Sequence, residues 1–292
     1  MAHKIVVIGG GLTGLAAAWE LERLGTDYTL IEVRNRLGGS ISTQHEAGFV
    51  LDGGAFVLEK YGEWAFLDEL DLTDALESVG RYRDGELVIF RDGTQTLVDA
   101  LAARLKQTIM LRMAVSSLGL LDDGCFGVCL ENGLMMEAHG VIIAAPARYA
   151  ERMLRTLLPD TAAYLYDYRY ESIARISLGY RRADVPELPA RPNGGLFRFV
   201  EGYTFPSRVP DGHVLIRAGV RLDVDPQIAT VEAATTVARA LLPHAQPVVQ
   251  WATHWAEEYA LTRALPEHTA MMDTIEAQLP RGMALVGSDY RA

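Results

Sequence analysis

Buried-strand and helical patterns alternate along the first part of the chain. Lys4 to Gly9 is a run of Ile and Val that breaks into glycine, the mark of a strand covered on both faces. From Thr13 to Leu24 the apolar residues recur at helical spacing, and Gly25 ends the element. YTLIEV (Tyr28 to Val33) is the next strand. A strand, a helix and a strand in so short a span close only as a parallel pair with a right-handed crossover. A glycine-punctuated region follows, RLGGSIST and then EAGFVLDGGAFVL. Trp64 to Leu76 has helical spacing, DGELVIFRDG reads as a strand entering a turn, and Thr96 to Leu105 is an amphipathic helix.

Ser116–Leu121, Cys125–Leu130 and Leu134–Ala138, separated by DDG and ENG, predict a three-stranded meander. VIIAAP (Val141 to Pro146) is again a buried-type strand, which returns to the first sheet. Beyond it the texture changes. ARYAERMLRTLL and DTAAYLYDYRY read as helices. IARISLGY, GGLFRFV, HVLIRAGV and VVQWATHW alternate like strands of a mixed or antiparallel sheet, with a helix in PQIATVEAATTVARALL. The pattern predicts an α/β protein: a discontinuous Rossmann-like domain (1–58, 96–150, 280–292) and a mixed-sheet substrate domain (59–95, 151–279).

Composition changes this picture mainly by exclusion. A net charge of -11 argues against a nucleic-acid binder, and no apolar run approaches a membrane span of roughly 20 residues. The first strand begins at Lys4, which leaves no room before it for a signal peptide and points to the cytoplasm. The two cysteines, in CFGVC, read as buried structural residues, and no metal-ligand spacing is present. Lysine occurs only at Lys4, Lys60 and Lys106, so arginine does the cationic work.

The chemistry begins at the glycine turn. Gly9, Gly11 and Gly14 satisfy G-x-G-x-x-G between a strand and a helix. The first glycine permits the tight turn, the second lets a pyrophosphate approach the backbone, and the third lets helix and strand pack closely. Unpaired N–H groups and the positive end of the helix dipole then face the phosphates. Glu32, ending the second strand, is placed to accept hydrogen bonds from ribose hydroxyls and to repel a 2′-phosphate.

The run EVRNRLGG places Glu32, Arg36, Gly38 and Gly39 in an E-x-x-x-R-x-G-G arrangement, and GFVLDGGA follows. With these segments the chain resembles the superfamily of flavin-dependent amine oxidases and protoporphyrinogen oxidases. RDGTQTLVDALAARL, VIIAAP and the region from ALPEHTAMM to GSDYRA are similar to further family segments in the same order, leaning towards protoporphyrinogen oxidase. The resemblance implies FAD rather than NAD. It puts Arg36, Gly38 and Gly39 at the pyrophosphate and ribityl end, and Gly53, Gly54 and Ala55 beside the isoalloxazine ring. It puts Val115 at the adenine through its backbone amide and Gly287 at the ribityl chain. Leu12 and Thr13 at the helix start, Val33 and Arg34 beside Glu32, Ser40, Ala144, Pro146 and Asp289 complete the implied cofactor set.

Three departures qualify the resemblance. Ser40 stands where the family has a cation, Lys60 to Gln95 is shorter than the family's substrate-covering region, and the family continues past GSDYRA into a turn and helix at the flavin. A partner chain or second copy completing the site is therefore one expectation. The implied reaction is hydride transfer from a substrate carbon to flavin N5, with reoxidation by O2 or another acceptor. No lysine follows Lys106, which disfavours a lysine-dependent amine oxidase. A desaturase-like flavoenzyme and a non-catalytic FAD-fold binding or assembly subunit stay open. The substrate is expected to be a small molecule, aromatic or carboxylated. Arg175, Arg198 and Arg217 on predicted strands are candidates to meet carboxylates, and no catalytic residue is singled out. Tyr164, Tyr166, Tyr168 and Tyr170 read as packing residues, and His254 and His268 as structural rather than catalytic.

Overall fold

The computed structural model describes residues 4–192, 195–224 and 231–291. Two units divide the chain: unit 1 is Met1–Gly39, Leu101–Tyr170 and Ala260–Ala292, and unit 2 is Ser40–Ala100 and Glu171–Tyr259. The first stretch holds β1 (Ile5–Ile8), α1 (Leu12–Arg23) and β2 (Tyr28–Glu32). Unit 2 then supplies the hairpin β3 (Thr43–Glu46) and β4 (Phe49–Asp52), followed by β5 (Leu58–Lys60). A one-turn helix α2 (Phe66–Glu69) precedes β6 (Leu76–Tyr82) and β7 (Gly85–Phe90).

Helix α3 (Gln95–Arg104) carries the chain back to β8 (Thr108–Leu111). The meander β9 (Val115–Leu120), β10 (Phe126–Leu130) and β11 (Met135–Ala138) leads to β12 (Gly140–Ile143). Next come α4 (Ala147–Leu154), α5 (Pro159–Tyr166) and the long β13 (Tyr170–Arg181). Unit 2 ends with β14 (Phe197–Tyr203), β15 (His213–Arg221), α6 (Val231–Leu241) and β16 (Val249–Ala260). Helix α7 (His268–Gln278) and β17 (Met283–Leu285) finish unit 1.

Unit 1 is built on a parallel sheet in the order β17-β12-β1-β2-β8. Val6, Val7 and Leu30 on its inner strands are fully buried, and each such side chain contributes about 1.5–3 kcal/mol relative to exposure. The meander is antiparallel, and its buried Leu118, Phe126 and Val128 join the same core as Ile8, Val141, Leu154 and Leu165. This is the predicted α/β class, with the first glycine turn at the C-terminal end of the central strand. Unit 2 holds a four-stranded sheet, β14-β15-β13-β16, with α6 packed on it, and the smaller sheets β3-β4 and β5-β7-β6.

Several expectations are corrected. The spacing of Trp64 to Leu76 does not give one helix: α2 lasts a single turn, Asp71 takes φ 57, and a 3-10 turn at Thr73–Ala75 leads into β6. Leu67, Leu70 and Leu72 are buried all the same, so the apolar periodicity is satisfied by a broken path. The helix in DTAAYLYDYRY stops at Tyr166, and Tyr170 opens β13. Thr108–Leu111, unassigned by pattern, is the edge strand beside β2. Cys125 and Cys129 are free and half-buried rather than buried. The start of the PQIATVEAATTVARALL helix and Gly194 of GGLFRFV lie outside the described residues. Compact unit 2 takes in residues 40–58 and 96–100, and unit 1 takes in 151–170 and 260–279. Among the described residues no helix is long and apolar enough to cross a membrane.

Candidate functional site

In unit 1 the three glycines of the first turn have different surroundings. A Cβ on Gly9, whose φ is +108, would stand 2.5 Å from the Ala144 carbonyl oxygen. On Gly14 it would stand 1.8 Å from the Gly9 carbonyl oxygen. Both are closed by the protein's own backbone. On Gly11 the nearest atom would be the Gly39 Cα at 3.9 Å. Gly11 is also the N-cap of α1, with an extended φ of -72 and no side-chain cap, and the first helical turn holds no acidic residue. The turn is therefore locked on both sides and open in the middle, where the helix presents N–H groups and positive dipole. Leu12 and Thr13 are the first helical residues, and a Cβ at Gly287 would come 3.7 Å from Thr13 Oγ1.

The second glycine pair is bound to the first turn. The Gly38 N–H donates to the Gly10 carbonyl at 2.7 Å, and Arg36 donates to the Leu37 and Gly39 carbonyls at 3.0 and 2.8 Å. Gly38 and Gly39 have φ of 103 and 59, conformations that glycine adopts without strain. Burial, with Arg34 alongside, pushes the Arg36 guanidinium below its ordinary range, while Glu32 opposes the shift. Arg36 thus serves the backbone of the turn.

Glu32 is buried, and its two carboxylate oxygens accept from the Gly10 N–H at 2.6 Å and the Arg34 N–H at 2.8 Å. Each oxygen retains a second lone pair for a hydroxyl. Val33 and Arg34 are exposed beside it, and Met113 N–H donates to the Glu32 carbonyl. Val115 opens β9 and is half-buried. At the other edge Ala144 N–H donates to Ile8, and Pro146 is the N-cap of α4.

Asp289 has a job that the sequence did not suggest. It is buried, and Oδ2 accepts the Ala147 N–H at 2.8 Å and the Tyr170 hydroxyl, so the carboxylate caps α4. Tyr168 donates to the Asp289 carbonyl and lies 2.6 Å from His268 Nε2, and Tyr290 donates to Ala145 at 2.7 Å. Burial, then the Asp289 charge, pushes Tyr168 and Tyr170 well above the ordinary tyrosine range. Tyr164 and Tyr166, by contrast, are exposed.

In unit 2 the segment Asp52–Ala55 is gripped from several directions. Asp52 Oδ1 accepts from Thr43 at 2.6 Å and from the Thr94 N–H at 3.0 Å, while Oδ2 accepts from the Thr94 hydroxyl at 3.0 Å and from Arg208. Arg217 donates through one NH2 to the Asp52 and Gly54 carbonyls, both at 3.0 Å. The Gly53 carbonyl receives Arg175 at 3.3 Å and Thr253 at 3.0 Å, and the Gly53 N–H donates to Ser42. Arg208 and Arg217 both stack on Phe56, at 4.8 and 4.5 Å from the ring centre. A Cβ on Gly53 would meet Ser42 Oγ at 2.6 Å, and on Gly54 the Ser40 carbonyl at 2.7 Å, so internal packing demands both glycines.

The arginines expected to meet carboxylates therefore separate. Arg217 is 5% exposed and spends its donors on backbone, and Arg175 reaches the same turn. Arg198 lies elsewhere in the unit, 3.5 Å from the buried Glu171, which Arg221 approaches to 3.2 Å. Arg208 carried no sequence signal at all, and its 0% exposure is visible only in the structure.

Family models match this chain twice: an NAD(P)-binding Rossmann-like domain over residues 7–70, and flavin containing amine oxidoreductase over residues 63–283. The chain belongs to the flavin containing amine oxidoreductase family. Coproporphyrinogen III oxidase of Propionibacterium freudenreichii is 35% identical over 78 residues, 26% of this chain and 15% of that protein. Mitochondrial protoporphyrinogen oxidase of Nicotiana tabacum is 34% identical over 103 residues, 33% of this chain and 19% of that protein. The aligned stretches thus span well under a quarter of those relatives' own length.

Among solved structures, one provisionally named as a protoporphyrinogen oxidase from Exiguobacterium sp. 255-15 superposes with a TM-score of 0.77 at 15% identity, covering 99% of this chain and 94% of that one. A reduced UDP-galactopyranose mutase gives 0.73 at 15% identity, covering 97% and 88%. These likenesses are of fold, and a fold shared by an oxidase and a mutase does not choose the reaction.

Family membership implies a flavin, and the residues fit one. The open Gly11 position between two closed glycines is a cradle that a Cβ would fill, the helix start has no competing carboxylate, and Glu32 is fixed with lone pairs to spare.

Proposed function

We propose that the chain binds FAD, with the pyrophosphate at the Gly11 turn of unit 1, and oxidises a small organic molecule by hydride transfer. The carrying observation is the contrast at the first turn: Gly9 and Gly14 are sealed by backbone, while Gly11 faces no atom closer than 3.9 Å to a Cβ. Bound flavin would supply an acceptor for two electrons and a proton from a substrate carbon. The chain's own residues supply the rest. The α1 N-terminus neutralises phosphate charge, Glu32 accepts from the adenosine ribose, and Arg36 keeps the Gly38–Gly39 turn in shape.

With no lysine beyond Lys106, proton removal from a substrate amine by a lysine-held water has no donor residue in the later part of the chain. Oxidation driven by conjugation or aromatisation of the product needs none. That favours a porphyrinogen-like or otherwise conjugating substrate over a polyamine.

The visible spectrum of the purified protein after incubation with FAD and gel filtration tests this reading. Retained flavin absorbance that bleaches anaerobically with a candidate reductant supports it. Protein that emerges colourless after added FAD overturns it and favours a binding or assembly role for the fold. Gly11→Ala should weaken FAD binding about tenfold or more while leaving the fold intact.

A further inference from the structure

A cavity of about 260 Å³ opens at one end of the four-stranded sheet of unit 2, and its lining includes Glu171, Arg191, Pro192, Phe197, Arg198 and Arg221. The strands bring these charges together. Ile173 faces Arg221 across β13 and β15, and the Leu222 N–H donates to the Ser172 carbonyl, so the start of β13 lies beside the end of β15. The register of β14 on β15 passes from Phe197–Val220 to Phe199–Gly219, which makes Arg198 the extra residue of a β-bulge. A bulge interrupts the ladder and re-aims the side chain that it carries. Arg198 Nε comes within 3.5 Å of Glu171 Oε2, and Arg221 Nε within 3.2 Å of Oε1. Arg191 donates to the Arg198 carbonyl at 3.1 Å and adds a third guanidinium to the same cavity.

Three cations thus share one lining carboxylate. The Glu171 side chain is 9% exposed and divides its two oxygens between two of them. Asp223, exposed and outside the lining, accepts from Arg221 at 2.6 Å. Even with Asp223 counted, the cluster keeps a positive excess, in a chain whose net charge is -11. Guanidinium groups held side by side repel, and an anion between them removes that repulsion. Their N–H forks match the paired oxygens of carboxylates and phosphates. The cavity is smaller than the roughly 300–1,000 Å³ of a site for a drug-sized ligand, so its occupant has few non-hydrogen atoms.

We propose that this cavity binds a small dianion with oxygen head groups, a dicarboxylate or a phosphate monoester, held by Arg191, Arg198 and Arg221 and aligned by the buried Glu171 behind them. The occupant supplies the counter-charge that the cluster lacks and ties the Arg191 segment to β14 and β15. The site lies within unit 2 and is independent of the flavin reading.

The full chain is titrated at neutral pH with succinate and, separately, with inorganic phosphate, while chloride is adjusted to hold ionic strength constant. Calorimetric heat and the melting midpoint are both recorded. At least one probe should bind saturably and raise the midpoint, and the tighter of the two names the head group. R198M and R191M should each weaken binding about tenfold, the loss of one charge-assisted pair. R81M, which removes an exposed arginine on β6, should titrate like the wild type. If R198M does not fold, R191M carries the comparison. The absence of a saturable response to both probes overturns the proposal. So does equal binding by the wild type and the variant that carries the comparison, which marks an adventitious ion only. Protein that takes up no FAD but still binds a probe overturns the flavin reading and leaves this one standing.

Discussion

Asp52→Asn removes one negative charge from a site where Arg208 is wholly buried and Arg217 nearly so. The asparagine oxygen can keep the Thr43 hydroxyl and the Thr94 N–H, but its NH2 turns a donor towards Arg208 and the Thr94 hydroxyl, so an uncompensated cation and a lost acceptor act together. Breaking a buried pair from one side costs about 3–5 kcal/mol. Arg208 is already short of partners, since its Nε and one NH are buried without any, so little is left to take up the charge. Against a stability of about 5–15 kcal/mol, that is a large fraction. With a denaturant slope of about 2–3 kcal/mol/M, the urea midpoint of unit 2 should drop by about 1–2 M. Trp64, Trp251 and Trp255 lie in that unit and report its unfolding by fluorescence. Arg208→Met should cost less, because Asp52 keeps its three threonine donors. The double variant should lose at least about 2 kcal/mol less than the sum of the singles. A D52N midpoint within about 0.3 M of the wild type, or strictly additive singles, would refute the reasoning.

Gly11→Ala and Gly14→Ala should part company: the first leaves thermal unfolding unchanged and weakens dinucleotide binding, while the second, with its Cβ 1.8 Å from the Gly9 oxygen, destabilises unit 1 outright in a melting experiment. Tyr180→Phe should be neutral or stabilising by about 1 kcal/mol, because the tyrosine hydroxyl is buried without a partner and burial pushes it up to about 12; a lowered urea midpoint would count against this. Burial raises Glu22, but hydrogen bonds from Lys106 N–H, Tyr28 and Gln107 N–H outweigh it and hold the carboxyl below its ordinary 4.5. Its contribution is therefore present above pH 4.5 and lost as pH falls through the lowered value, so Glu22→Gln should flatten that part of a stability–pH curve.

The parallel sheet was legible because its inner strands are covered on both faces, and unbroken Ile and Val runs mark that environment. Thr108–Leu111 was not, because an edge strand of four residues with exposed ends carries no such run. The helical reading of DTAAYLYDYRY holds through Tyr166, and the alternating tyrosines do not mark β13, which takes in only the last of them, Tyr170. The break at Asp71 shows the reverse: helical spacing buried its leucines without a continuous helix. At the site, the glycine turn and Glu32 could be read from spacing because their partners are close in sequence. Asp289 could not, since the N–H that it caps is 142 positions away. Arg217 looked like one face of an amphipathic strand, and only the carbonyls of Asp52 and Gly54 explain its burial.

The Asp289 cap also sets an order of events during synthesis. The central strand is made first, but β17, which extends its sheet, and the carboxylate that seals α4 emerge only after unit 2 has been translated in between. Until then unit 1 waits on the ribosome with a bare sheet edge and an uncapped helix. A nascent chain halted before residue 289 should therefore be a better chaperone client, and a poorer binder of any nucleotide, than the finished protein.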